Sequence, residues 1–294
     1  MHMHDITQPA QGAYTTLAEL IALRFPARQL RITRKTRALS VLAGPNKSNF
    51  RGRGIDFEEV RNYQPGDDIR TIDWRVTART GNAHTKLFRE ERERPVLIVL
   101  DQRTGMFFGS SQCFKSVVAA QLASLLAWSA LDSGERVGGL VFNEEQHREI
   151  RPRRSRKNVL ALLSEADRYN HTLPLAPEHS AMTFADILSN LRRIARPGSS
   201  VFVISDFTGA ESTQAREHLF QLAQHAQVTA VACSDPMEHE LPRAGRYAVT
   251  DGTNRSELST ADRNVRLHYS THRHERDQLL ARDLQRLGIP LIQA

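Results

Sequence analysis

The sequence predicts an α/β fold, in which a mostly parallel sheet carries helices on both faces. From Pro95 onward, short β-branched apolar runs alternate with longer segments that have helical periodicity. The runs are apolar throughout rather than at every second residue, which is typical of parallel strands that are buried on both faces. Alternation of strands with helices also favours parallel pairing. These observations assign residues 94–294 to one α/β domain.

Five strands and five helices are predicted in this domain, in the order β-α-β-α-α-β-α-β-α-β. The predicted strands are 96–100, 137–142, 201–205, 228–233 and 289–292. The predicted helices are 114–132, 155–168, 184–195, 212–226 and 275–287. Two stretches interrupt this order: 144–152 is expected to pair back on its neighbour, and 236–264 to form an irregular or hairpin insertion.

Residues 1–93 differ from the rest of the chain. An amphipathic helix is predicted near residues 15–25, and an Arg-rich stretch with frequent Gly and Pro follows it. This region has no long apolar run, so we expect it to pack on the α/β domain rather than to bury a core of its own. The predicted organisation is therefore a region 1–93 packed on a domain 94–294.

Composition excludes several classes of protein. The chain of 294 residues is 40% hydrophobic and 25% charged, with a net charge of +7, which is typical of a folded globular protein. No apolar stretch reaches the roughly 18 residues of a membrane span, and the amino terminus has no signal-peptide pattern. Cys113 and Cys233 both lie in apolar segments, as expected of reduced thiols. A cytoplasmic location is the expectation.

The segment 51–94 concentrates carboxylates, arginines and aromatic residues. Its Gln64-Pro65-Gly66-Asp67 sequence predicts a turn with extended segments on either side, which gives this region β-hairpin character. Acidic residues beside such a turn and amid arginines are expected to form structural ion pairs. The alternative is a hydrolase in which Asp67 and Asp68 divide the acid and base roles. The expected ion-pair members are Asp67, Asp68, Asp73, Arg61, Arg70, Arg75 and Arg79.

Two aspartates directly follow predicted strands of the sheet. Asp101 follows the run 96–100 and Asp206 follows the run 201–205. Ligands of open parallel sheets gather at the carboxyl ends of strands, near the point where the strand order reverses. We therefore expect these two carboxylates to face one another at this edge of the sheet.

The segment 51–109 closely resembles the signature of the domain-of-unknown-function 58 family, and the remaining α/β part resembles it more loosely. The signature residues that carry the resemblance include Arg61, Tyr63, Pro65, Gly66, Asp67, Asp68, Arg70, Asp73, Trp74 and Arg79. The resemblance implies a von Willebrand factor A-like domain that is often encoded beside a MoxR-type AAA+ ATPase and works with it on other proteins. Many relatives carry two transmembrane helices near the amino terminus, and this sequence departs from them.

The resemblance also implies where a metal ion would bind. In metal-binding von Willebrand A-like domains the first loop reads D-x-S-x-S, and a later Thr and Asp complete the set of ligands. Here Arg103 and Gly105 stand where the two serines would be, while Thr183 matches the later Thr. Our hypothesis is that Arg103 replaces the metal between the two aspartates, because a guanidinium supplies the charge that they need. The alternative is Mg²⁺ bound by Asp101, Thr183 and Asp206.

The predicted function is a non-enzymatic protein-interaction module with a degenerate metal-ion-dependent adhesion site and no cofactor. Its partner-binding rim comprises Asp101, Arg103, Thr183 and Asp206. The expected partners are a MoxR-type ATPase and a client protein, which the chain would help to assemble or activate as a chaperone-like accessory. The alternatives are an Mg²⁺-dependent ligand-binding domain and the hydrolase. Nucleic acid is disfavoured, because the basic run 147–157 contains no aromatic residue for stacking.

Overall fold

A computed structural model describes residues 10–30, 55–65, 67, 69–90, 94–172, 182–250 and 254–294. These residues divide into two compact units. The first, which we call the α/β unit, comprises residues 10–30 and 94–294 within those ranges, and the second, which we call the signature unit, comprises residues 55–90. The division differs from the predicted boundary at residue 93, because the amino-terminal helical segment belongs with the sheet.

The signature unit is an antiparallel pair of strands with a helix between them. The amino-terminal segment of the α/β unit comes before the signature unit in the chain and contains α1 (Leu17–Ala22) and α2 (Arg24–Ala27). The signature unit contains β1 (Ile55–Asn62), a 3-10 turn (Ile69–Thr71), α3 (Trp74–Thr80) and β2 (His84–Glu90). Strands β1 and β2 pair antiparallel. The predicted helix 15–25 is thus two short helices that meet at Leu23. The prediction of an extended segment directly after the turn at 64–67 is wrong, because the 3-10 turn and α3 follow it.

The remaining elements of the α/β unit follow the predicted order. They are β3 (Pro95–Asp101), α4 (Lys115–Asp132), β4 (Arg136–Phe142), β5 (His147–Arg153), α5 (Arg156–Asn170), α6 (Phe184–Ile194), β6 (Ser200–Ser205), α7 (Thr213–Ala223), β7 (Gln227–Ala232), α8 (Pro236–His239), β8 (Arg246–Thr250), β9 (Arg255–Ser259), α9 (Arg263–Arg286) and β10 (Leu291–Gln293). The stretch 144–152 pairs back antiparallel on β4, and the insertion 236–264 contains the β8–β9 hairpin, so both predictions are confirmed.

Six strands form the central sheet, in the order β10, β7, β6, β3, β4, β5. All adjacent pairs are parallel except β4 with β5. From β3 the chain passes to β4 on one side, and it later returns to β6 on the other side. The strand order therefore reverses between β3 and β6, where open α/β sheets form a crevice at the carboxyl ends of the strands.

Both faces of the sheet are covered, as the apolar runs predict. Alternate residues of β3 point to opposite faces, so that Ile98 belongs to one core cluster and Val99 to the other. Trp128 of α4 is in the first cluster and Leu188 of α6 is in the second. The two cores hold the ends of β3 and β6 in fixed positions. In the part of the chain that the structure describes, no helix has both the length and the apolar character of a membrane span.

Candidate partner-binding rim at the carboxyl edge of the sheet

The two strand-end aspartates lie on neighbouring strands. Leu100 of β3 is paired with Ile204 of β6; Asp101 directly follows Leu100, and Asp206 lies two residues after Ile204. Asp101 is fully buried, with 0% of its surface exposed. Its Oδ2 atom accepts a hydrogen bond of 2.6 Å from the Ser205 hydroxyl. The sheet therefore brings both predicted carboxylates to the point where the strand order reverses.

Arg103 joins these carboxylates. Its Nε atom lies 3.0 and 3.1 Å from the two carboxylate oxygens of Asp101, and its Nη2 atom donates to Oδ2 at 2.7 Å. The same Nη2 atom lies 3.6 Å from Oδ1 of Asp206. The Nη1 atom donates to the carbonyl oxygen of Thr208 at 3.0 Å. One guanidinium thus bridges the loops that follow β3 and β6.

Charge keeps Arg103 protonated in a largely enclosed position. Its side chain is 14% exposed, and its guanidinium lies 5.6 Å from the centre of the Phe142 ring and 5.4 Å from that of Phe184. Burial acts to lower the pKa of Arg103, but the charge and hydrogen bonds of Asp101, with the charges of Asp206 and Glu144, hold that pKa above its ordinary value. The side chain is therefore a permanent cation.

A second cation approaches the other carboxylate oxygen of Asp206. Lys115, the first residue of α4, has a side chain that is only 3% exposed. Its ammonium nitrogen lies 3.5 Å from Oδ2 of Asp206 and 2.7 Å from Oε1 of Glu238. Burial acts to raise the pKa of Asp206, but Lys115, the amide of Thr208 and Arg103 outweigh it and leave the pKa below its ordinary value.

The ion pairs continue from the sheet edge to the last helix. Glu238, on α8, also lies 3.7 Å from Arg273 of α9. Arg273 in turn donates to Asp277 at 3.1 Å. Asp235, which caps α8, accepts hydrogen bonds from the amide and the hydroxyl of Ser110 at 2.8 and 2.5 Å. Alternating charges therefore connect the ends of β3 and β6 with α4, α8 and α9.

Thr183 lies beside this cluster without joining its ion pairs. It is the N-cap of α6, and its hydroxyl donates to Oδ2 of Asp186 at 2.7 Å and accepts from the Asp186 amide at 3.2 Å. The next residue, Phe184, is the one whose ring faces the guanidinium. The hydroxyl predicted for the rim is therefore engaged in a helix cap.

The signature residues form local structure within their own unit. Asp67 accepts from Arg61 at 2.8 Å and from the Gln64 amide at 3.0 Å, so it closes the predicted turn. Asp73 caps α3 through the amides of Arg75 and Val76. Trp74 follows it with 68% of its surface exposed. The described residues Tyr63, Pro65, Arg70 and Arg79 also belong to this unit, while Gly66 and Asp68 lie outside the described residues.

Comparison with known proteins identifies the family. The family model described as "Protein of unknown function DUF58" matches residues 59–278. This chain belongs to that family. Uncharacterised proteins of Mycobacterium tuberculosis and Mycobacterium bovis are each 31% identical to this DUF58 protein over 224 residues, which are 76% of this chain and 69% of each relative. The uncharacterised protein YeaD of Bacillus subtilis is 29% identical over 47% of this chain and 29% of its own length.

Two solved structures are also similar to this DUF58 protein. The conserved hypothetical protein BatB of Bacteroides thetaiotaomicron is 16% identical, with a TM-score of 0.42, over 68% of this chain and 90% of that chain. An aerotolerance-related membrane protein of Bacteroides fragilis is 13% identical, with a TM-score of 0.41, over 68% and 91%.

Sequence reasoning missed the charged members of the cluster that come from α4, from the insertion and from α9, among them Lys115 and Glu238 of this DUF58 protein. Lys115 is the first residue of an apolar helix, and Glu238 lies in the insertion after β7. A lone Lys at the start of a buried helix is a usable signal, because a buried ammonium requires a carboxylate partner. Glu238 carried a weaker signal, since its place beside Lys115 depends on how the insertion folds. The free thiol of Cys233 lies close to the same groups, and burial raises its pKa to about 12, so it stays protonated at neutral pH.

Proposed function

We propose that this DUF58 protein is a non-catalytic protein-interaction module. In this proposal the α/β unit is a von Willebrand factor A-like domain whose metal-ion-dependent adhesion site has become degenerate. The edge of the sheet around Asp101, Arg103 and Asp206 presents the partner-binding rim. The partner is a MoxR-type AAA+ ATPase in the cytoplasm. The chain assists this ATPase as the ATPase assembles or activates a client protein.

The observation that carries the proposal is the pairing of the two strand-end carboxylates with side-chain cations. Arg103 contacts both oxygens of Asp101, and Arg103 and Lys115 approach different oxygens of Asp206. These are the atoms that a divalent ion would need as ligands, because Mg²⁺ is held by carboxylate and hydroxyl oxygens. Two positively charged side chains next to such a site repel an added metal cation. The residues therefore fit a metal-free rim better than a metal centre.

Neighbouring residues support the same interpretation. Gly105 stands in place of a hydroxyl ligand, and a Cβ atom there would lie 3.0 Å from Oδ2 of Asp206. Thr183 uses its hydroxyl to cap α6. The local donor set thus supports a structural role for Arg103.

The rim also has a surface that a partner can contact. Phe108, in the loop after β3, is 40% exposed, although it lies only a few residues beyond the buried Asp101. Aromatic side chains, Phe among them, are enriched in protein–protein interfaces relative to the rest of the surface. We therefore place Phe108 in the contact surface, while the ion pairs below it keep the loop in position.

A binding experiment with the MoxR-type ATPase of the same genome tests this function. The purified full-length chain is titrated with the ATPase, and the dissociation constant is measured for the natural chain, Phe108→Glu and Arg103→Glu. Both substitutions are expected to weaken binding about tenfold or more, because they place a carboxylate in the contact or below it. Arg286→Glu, at the exposed end of α9, is the matched charge-reversal control.

Unchanged affinity in folded Phe108→Glu and Arg103→Glu chains, each checked by thermal unfolding, would remove the rim from the interface. Calorimetry with Mg²⁺ or Mn²⁺ tests the metal-free part separately. We expect no tight stoichiometric binding. A tight site that disappears in Asp101→Ala would instead favour the Mg²⁺-dependent ligand-binding domain.

A further inference from the structure

A second charged surface lies at the opposite edge of the sheet from β10. Strand β5 is the last strand of the sheet, and α5 begins three residues after it. Five exposed cations lie between residues 151 and 157, and we call the four other than Arg154 the basic patch. The basic patch comprises Arg151, Arg153, Arg156 and Lys157. Two hydrogen bonds hold the junction in place, because the Asn158 side-chain amide donates to the carbonyl oxygens of Val137 and Arg151 at 2.5 and 3.0 Å.

The charges of the basic patch are largely uncompensated within the α/β unit. Arg151 has a side chain that is 87% exposed, and its nearest carboxylate, Glu149, is 3.9 Å away. A pair so exposed contributes little. For Arg153, Arg156 and Lys157, the described part of the chain places no carboxylate within ion-pair distance. These four cations therefore remain available to an anionic partner.

Local stability does not account for this arrangement. Arg156 and Lys157 occupy the first two positions of a helix of 15 residues, after the N-cap Ser155. Cations are disfavoured there, since the amino terminus of a helix already carries partial positive charge. The neighbouring Arg154 differs, because its guanidinium lies over Gly134, where a Cβ would be 3.1 Å from Nη2. That contact places Arg154 at the carboxyl-terminal end of α4, where a cation is favourable.

We propose that the basic patch binds an acidic, Asp- or Glu-rich segment of a partner protein. Charge complementarity supports this choice, because an extended acidic segment can place one carboxylate opposite each guanidinium in bidentate geometry. Pairing of a partner strand with β5 is disfavoured, since Pro152 lacks an N–H group and charged side chains line the edge. Single-stranded nucleic acid is the weaker fit, because the run 147–157 has no aromatic residue on which a base could stack.

Titration of the full-length chain with a fluorescein-labelled oligoglutamate peptide tests this proposal. Fluorescence anisotropy gives the dissociation constant at low and at physiological salt. The variant Arg151→Gln/Arg153→Gln/Arg156→Gln/Lys157→Gln is expected to bind about tenfold more weakly or worse, because each exposed cation makes a small separate contribution. Its melting temperature should not fall, since the four side chains are exposed and two of them oppose the helix dipole.

A control with the same net charge separates the basic patch from general attraction. Arg246→Gln/Arg263→Gln/Arg282→Gln/Arg286→Gln removes four exposed arginines from β8 and α9, and it should retain the affinity of the natural chain. Equal weakening in both variants would overturn the proposal, as would the absence of any binding. Tighter, patch-dependent binding of a single-stranded oligodeoxynucleotide of equal charge would also overturn it, in favour of nucleic acid.

Discussion

At the scale of single residues, Arg103 makes contacts that a hydrated divalent ion could not make in the same place. Its planar guanidinium lies within 5.6 Å of the centres of the Phe142 and Phe184 rings, and its N–H groups donate to Asp101 and to the Thr208 carbonyl. Aromatic faces and a bidentate carboxylate suit a guanidinium, which is weakly hydrated and fixed in shape. Mg²⁺ retains several waters and requires octahedral oxygen ligands. The residues around Arg103 are therefore adapted to Arg itself.

Asp206 gives the cluster a predictable dependence on pH. Its pKa in the folded chain lies below the value of about 3.9 that an unfolded chain would have. A carboxylate with a lowered pKa stabilises the fold above its unfolded pKa, and that stabilisation is lost as the pH falls through the folded value. We therefore expect Asp206→Asn to cost about 3 kcal/mol near pH 7, where Lys115 and Arg103 lose a buried partner.

Urea unfolding of the natural chain and Asp206→Asn at pH 7, 5 and 3 provides the measurement. The difference in the free energy of unfolding should be nearly the same at pH 7 and pH 5 and should begin to shrink at pH 3, because the unfolded natural chain then takes up a proton at Asp206 that the folded chain binds only at lower pH. Glu257→Gln, at an exposed position of β9, is the control and should show little difference at any of these pH values. A difference for Asp206→Asn that is independent of pH would indicate a packing effect instead.

At the scale of secondary-structure elements, the parallel strands could be predicted because burial on both faces requires apolar, β-branched runs. Helix α9 shows where this reasoning fails. It begins at Arg263 rather than near residue 275, and most of its first three turns are exposed, so no apolar periodicity marks them. The N-cap Asp262 is the only local signal there. Helix α3 was missed for a similar reason, since Asp73 caps a helix with no buried residue.

The amino-terminal helix is an element whose role depends on long-range packing. Leu20 of α1 is fully buried, and its carbonyl oxygen accepts from the Ser124 hydroxyl at 2.6 Å and the Trp128 indole at 3.3 Å. We expect Leu20→Ala to lower the free energy of unfolding by about 2–5 kcal/mol, because it leaves a cavity against α4. Equilibrium unfolding measures this. Leu279→Ala, at a 41% exposed position of α9, is the control and should lower the free energy of unfolding by less than about 1 kcal/mol. Equal losses in the two variants would show that α1 is not an integral part of the core.

At the scale of the whole molecule, the candidate site could be predicted only in part. Asp101 and Asp206 were found because strand ends are readable from the sequence, and Arg103 was found through the family resemblance; the structure brings all three together. Lys115 and Glu238 come from elements distant along the chain, and their meeting depends on how α4 and α8 pack. The division into units was also hidden, because residues 10–30 contact α4 across the long segment that contains the signature unit.

This division predicts that the signature unit can be removed without unfolding the α/β unit. Both points where the chain leaves and re-enters the α/β unit lie near the carboxyl-terminal end of α4. The Leu30 carbonyl oxygen accepts from Ser129 at 2.6 Å, and the Arg94 amide donates to Glu135 at 3.1 Å. Replacing residues 34–93 with a Gly/Ser linker of about six residues gives a span of about 13 Å, which suits such neighbouring attachment points. We expect one cooperative transition and a free energy of unfolding within about 2 kcal/mol of the natural α/β unit, since shortening the connection changes mainly loop-closure entropy.

Near-UV circular dichroism and urea unfolding measure both properties. The contrasting variant lacks residues 1–30 and should unfold at much lower urea, because it exposes the surface of α4 that Leu20 covers. Loss of the near-UV signal in the linker variant, but not in the variant that lacks residues 1–30, would reverse the assignment and make the signature unit part of the folding core.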